Sequence, residues 1–128
     1  MFSHVMVGAD DPKISKSFYD ALFTAIGGSE GRTDDKGRTA WMHKGGVFMM
    51  GQPIDGEPAS CGNGMTVGFA CDSAEQVDAW HAAGIGAGGQ AIEDPPGIRE
   101  NPFGKLYLAY MRDPAGNKMC GLYRLPKE

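Results

Sequence analysis

The chain has 128 residues, the size of one domain, with enough interior to fold without disulfide or metal staples. Twelve Lys and Arg against sixteen Asp and Glu leave a net charge of -4, and the basic residues form no cluster, which excludes an electrostatic nucleic-acid surface. No apolar run comes near the ~18 residues of a membrane-spanning helix. Met1-Phe2-Ser3-His4 has neither a charged nor an apolar leader, so no secretory signal is expected. Cys61, Cys71 and Cys120 are an odd set without CxxC spacing, and predict a reducing, cytoplasmic location.

Phe2 to Ala9 reads as a short strand closed by Asp10-Asp11-Pro12. Ile14, Phe18, Leu22 and Ala25 recur at helical spacing through Ile26, with Asp11 as N-cap, Pro12 in the first turn and Gly27-Gly28 as the stop. Strands at about 31–33, 38–44 and 47–52 follow, divided by the turn signals Asp34-Asp35-Lys36-Gly37 and Gly45-Gly46. Residues 53–63 are a linker by composition. The pattern then restarts: a strand from Met65 to Cys71 and a helix from Ala74 to Ala83, stopped by Gly84, Gly86, Gly88 and Gly89. Strands follow near Gln90–Glu93, Gly104–Arg112 and Lys118–Tyr123. Glu93 to Gly104 is too long for a hairpin turn and reads as a lid or binding loop. The glycines at 84–89 follow a helix and lack a Lys-Ser/Thr ending, which rejects a phosphate-binding loop.

Each half is therefore β-α-β-β-β: module one at 1–52, a linker at 53–63 and module two at 64–124, within a single domain at 1–128. The duplication shows in residues as well. His4 to Asp11 aligns with Thr66 to Ser73, and Gly45 to Met50 with Gly116 to Gly121. A module that cannot bury both faces of its sheet packs against its twin. The expected fold is α+β, two tandem βαβββ modules whose curved mixed sheets form a cleft, with the helices outside.

The architecture, the opening His4…Asp10 before Ser17-Phe18-Tyr19-Asp20-Ala21-Leu22-Phe23, and the closing Arg112-Asp113-Pro114-Ala115-Gly116-Asn117-Lys118 are similar to those of the vicinal oxygen chelate superfamily. That superfamily includes glyoxalase I, bleomycin- and fosfomycin-resistance proteins and extradiol dioxygenases. The resemblance implies four inward positions that commonly supply metal ligands, here His4, Met49, Thr66 and Cys120. Thioether and hydroxyl are poor ligands for borderline divalent ions, a thiol binds only once deprotonated, and no carboxylate falls among the four. No metal or other cofactor is therefore expected there.

Strand alternation puts His4 and Thr66 in the cleft, and hairpin register puts Tyr110 beside Cys120, with Arg112 on the same side. The resemblance also implies a substrate-contacting tyrosine at Tyr110. Arg99 lies in the long loop, where it could meet an anionic substrate, and Trp41 and His43 are placed at the cleft mouth. The leading expectation is a small organic ligand held in the cleft between the modules by Met49, Thr66, Tyr110, Arg112 and Arg99, in a homodimer without nucleic-acid or membrane partners. The alternative is a lactoylglutathione-lyase-like enzyme using His4 as general base, with Cys120, on a thiol conjugate or small carbonyl substrate. A third reading is thiol-based redox or conjugating activity at Cys120.

Overall fold

The first half forms β1 (Val5–Gly8), α1 (Pro12–Ala25), β2 (Arg32–Thr33), β3 (Thr39–His43) and β4 (Gly46–Gly51). The second forms β5 (Val67–Ala70), α2 (Ala74–Gly86), β6 (Gln90–Asn101), β7 (Gly104–Arg112) and β8 (Lys118–Arg124), in a computed structural model that describes residues 1–127. Each half closes its own four-stranded sheet, in the orders β1-β4-β3-β2 and β5-β8-β7-β6. The first and last strands of each are parallel and the other pairs antiparallel. The two orders are the same permutation, so the duplicated α+β module read from the sequence is the fold. No helix among the described residues is long and apolar enough to cross a membrane.

The first helix starts at its expected cap, and the second at Ser73, which the sequence reading did not single out. Asp11 accepts from the Ile14 amide at 3.3 Å with Pro12 in the first turn, and Ser73 accepts from the Gln76 amide at 3.0 Å. α1 buries Phe18, Tyr19, Leu22 and Phe23 along one face, and α2 buries Val77 and Trp80. Each such side chain contributes about 1.5–3 kcal/mol of apolar burial.

The two helix-covered faces share one core. Phe69 of β5 meets Phe23 of α1 at 5.5 Å and Phe48 of β4 at 5.6 Å between ring centroids. Polar ties join the same halves: the Tyr19 hydroxyl donates to Asp113 at 2.5 Å, and the Asn117 amide donates to the Gly8 carbonyl at 3.0 Å. Asp113 is buried and also accepts from the Ala115 and Asn117 backbone amides and the Asn117 side chain. The DPAGN segment is thus both the β7–β8 turn and the anchor of the second module on the first.

Three expectations change. The second helix does not stop at Gly84 but runs to Gly86, because Gly84 is buried where a Cβ would strike Met111 and approach Leu22. Its smallness serves the crossing of α2 over β7 and α1. Residues 93–104 are no lid. β6 continues to Asn101 and pairs with β7 throughout, apart from a register shift between Ile92 and Gly97. That bulge holds Pro95 and Pro96, whose lack of a donor costs nothing outside the ladder, and Arg99 donates to the bulge carbonyls of Asp94 and Pro95, both at 3.1 Å. Trp41 and His43 face α1 and not the cleft mouth. Trp41 is buried, stacks on Phe23 and donates to Asp20 at 2.9 Å, and His43 lies edge-on to Phe23.

Candidate functional site

Alternation sorts the remaining side chains. Val5, Val7, Phe48 and Met50 belong to the helix-covered core, which leaves Met6 and Met49, cross-strand partners, on the other face of the first sheet. In the second sheet, Phe69 and Met119 take the core side and Cys120 the other, directly opposite Tyr110. The equivalence of Met49 with Cys120 therefore holds in register: Met6 pairs with Met49 as Gly68 pairs with Cys120.

The open face of the second sheet carries a small apolar platform. Leu108 opposes Leu122 and Tyr110 opposes Cys120, and Leu106 packs into the same cluster. The platform ends in charge, because the next cross-strand pair is Arg112 with Lys118. Lys118 sits 4.7 Å above the Tyr110 ring centroid and ion-pairs with Glu93, a residue of the bulge with φ +59°. Arg112 donates to the Gly116 carbonyl at 2.8 Å and, among the described residues, pairs with no carboxylate. Thr66 is exposed just ahead of β5, and it lines with Arg112 and Lys118 a cavity of about 400 Å³.

The structure thus brings Tyr110 together with Cys120, and Thr66 with Arg112. It does not join them to His4 or Met49. His4 is exposed just before β1, with Ser3 as its partner at 2.8 Å, and Met49 is half-buried on the first sheet. The groups acting on Cys120 all come from the second module: Tyr110, Glu93, Lys118 and Arg99. Arg99 serves the bulge through its hydrogen bonds and reaches Cys120 only through its charge.

Ionisation states follow from burial. Desolvation pushes the Cys120 thiol up to about 11, against a lowering hydrogen bond from Tyr110, so it is protonated at neutral pH. Tyr110 is also raised, by burial first and then by the charges of Cys120 and Glu93. Cys71, on the core side, is likewise pushed up to about 11, mainly by burial.

These donors do not fit the divalent centre that the resemblance implies. The four positions offer one imidazole, a thioether, a hydroxyl and a thiol held in its proton-bearing form, and no three His, Cys, Asp or Glu side chains converge among the described residues. Sequence reasoning missed Lys118 and Asn63 as parts of the cavity. Lys118 was readable from the hairpin register, whereas Asn63 enters only because the linker folds back and the Cys61 thiol donates to the Ala115 carbonyl at 3.2 Å.

No protein-family model matches the chain, and neither does any curated protein. Among solved structures it is similar to a glyoxalase/bleomycin resistance protein from Albidiferax ferrireducens T118, with 53% identity over 97% of this chain and 99% of that one and a TM-score of 0.93. Two remoter structures share the fold. A glyoxalase-related enzyme from Fulvimarina pelagi is 18% identical over 97% of this chain and 88% of that one, with a TM-score of 0.73. A glyoxalase/bleomycin resistance protein/dioxygenase family enzyme from Burkholderia phytofirmans PsJN is 18% identical over 96% and 98%, with a TM-score of 0.69.

Proposed function

The chain belongs to the glyoxalase/bleomycin resistance protein family, and we propose that it binds a small organic molecule on the open face of its second sheet without a divalent metal. The observation that carries this reading is the platform itself. Tyr110 and Leu122, half-buried over the buried Leu108 and Cys120, offer an aromatic face and apolar contact, with polar groups confined to one end. Small-ligand sites combine apolar walls with a few orienting polar groups in this way. Tyr110 orients the ligand through its ring and hydroxyl. Cys120, proton-bearing and buried, packs as a small apolar residue beneath it.

A second copy of the chain completes the assembly. Met6 and Met42 are 42% and 74% exposed on the first sheet, apolar surface that a homodimer covers. Three free cysteines suit a reducing cytoplasm.

Calorimetric titration with a panel of aromatic compounds and thiol conjugates, in the presence of a chelator, tests the reading. Binding that survives chelation and weakens about tenfold or more in Tyr110→Ala is expected, a loss of at least ~1.4 kcal/mol. Silence across the panel, or binding only after a divalent ion is added, refutes it. Sedimentation analysis checks the dimer.

A further inference from the structure

We infer that the cavity at the charged end of the platform receives an anionic group, so that the ligand is an organic anion, an apolar body carrying a carboxylate or a phosphate. The inference rests on the platform reading for the apolar part, but the cavity is formed within one chain and has chemistry of its own. It encloses about 400 Å³ and is lined by Cys61, Asn63, Thr66, Arg112 and Lys118.

Two cations from adjacent strands meet there, and their charges are not equally satisfied. Lys118 is paired with Glu93. Arg112 spends one N–H on the Gly116 carbonyl and has no carboxylate partner among the described residues. The nearby Asp113 is buried and taken up by Tyr19, Ala115 and Asn117, so it offers Arg112 no counter-charge. A guanidinium has five donors in a fork that matches carboxylate and phosphate oxygens. Thr66 and Asn63 add a hydroxyl and an amide, both able to donate to the same oxygens. The polar end is therefore net positive and rich in donors, while the platform that runs from it is apolar. Only a ligand with the same polarity along its length uses both.

Cys61 provides the probe. Its thiol is exposed and lines the cavity, whereas Cys71 and Cys120 are buried. Cys61 is alkylated with negatively charged iodoacetate and with neutral iodoacetamide, and the ratio of the two rates is compared with that for mercaptoethanol. The ratio should exceed the mercaptoethanol value by about threefold, the effect of one unit charge some 6 Å away in water-like dielectric. It should fall to the mercaptoethanol value in Arg112→Gln and persist in Arg112→Lys. Millimolar inorganic phosphate should slow the iodoacetate reaction in the wild type and not in Arg112→Gln. An unchanged ratio in Arg112→Gln, or no phosphate effect in the wild type, overturns the inference. Binding of neutral panel compounds alone would then leave the platform standing without its anionic end. If Arg112→Gln folds poorly, the wild-type ratio and its suppression by phosphate still decide, since absence of either overturns the inference.

Discussion

Cys120 is the sharpest test of whether this site performs covalent chemistry. Burial holds its thiol at about 11, so at pH 7 about one molecule in ten thousand carries the thiolate, against about 3% for a free thiol of pKa ~8.5. Ionisation alone predicts alkylation about 300-fold slower than a free thiol, and the 4% exposure of the residue slows it further. The pH dependence is the stronger signature. Only the thiolate attacks, so the rate should climb close to tenfold per pH unit through neutrality and still be climbing at about pH 9.5. Iodoacetamide labelling resolved by peptide mass spectrometry separates Cys120 from Cys61 and Cys71, and labelling in denaturant supplies the unfolded reference. Tyr110→Phe removes a hydrogen bond that lowers the thiol's pKa, so that variant should react more slowly still. A rate that levels off below pH 8 would show a stabilised thiolate and restore Cys120 as a nucleophile.

Other perturbations follow from the packing. Tyr19→Phe deletes the buried bond to Asp113 and should cost about 2 kcal/mol, or roughly 6–10 °C in melting temperature, while an unchanged transition would show that the tie is not energetic. Gly121→Ala forces a Cβ to 2.7 Å from the Trp80 ring and should destabilise by about 1–3 kcal/mol in chemical denaturation. Gly68→Ala in the neighbouring strand meets nothing within 4 Å and should be neutral or slightly stabilising, so equal effects would discredit the packing argument. Burial raises the Asp20 carboxyl, but hydrogen bonds from Lys16, the Gly31 amide and Trp41 outweigh it and leave the pKa below its ordinary value. Its stabilisation is therefore present above the unfolded carboxylate pKa of about 4 and drains away as pH falls through the lower folded value. Asp20→Asn should flatten the acid limb of melting temperature against pH, and a limb of unchanged slope would assign acid lability elsewhere.

The duplicated module was readable because its signals are local. Capping at Asp11, helical spacing in α1 and turn residues at 34–37 and 113–117 each act within a few positions. What escaped was set at long range. A glycine ends most helices, yet Gly84 continues one because Met111 and Leu22, far away in sequence, leave room for a hydrogen and no more. Consecutive prolines mark a loop by composition, yet a bulge takes them out of the ladder and the strand resumes at Gly97.

The same division runs through the site. Tyr110 and Cys120 could be paired from the sequence, because the DPAGN turn sets the register of β7 against β8, and cross-strand partners then follow by counting. The charged end could not be composed by counting, since Asn63 and Thr66 come from a chain segment outside the hairpin. Asp113 shows how one residue bridges the two scales. As a turn former it bonds the Ala115 and Asn117 amides, which any short acceptor side chain at that position could do. As the buried acceptor of the Tyr19 hydroxyl it ties this turn to α1, and the Asn117 side chain extends the tie to Gly8 at the end of β1. The turn that sets the register of Tyr110 against Cys120 is therefore held by the first module, and the geometry of the platform depends on contacts that no local pattern encodes.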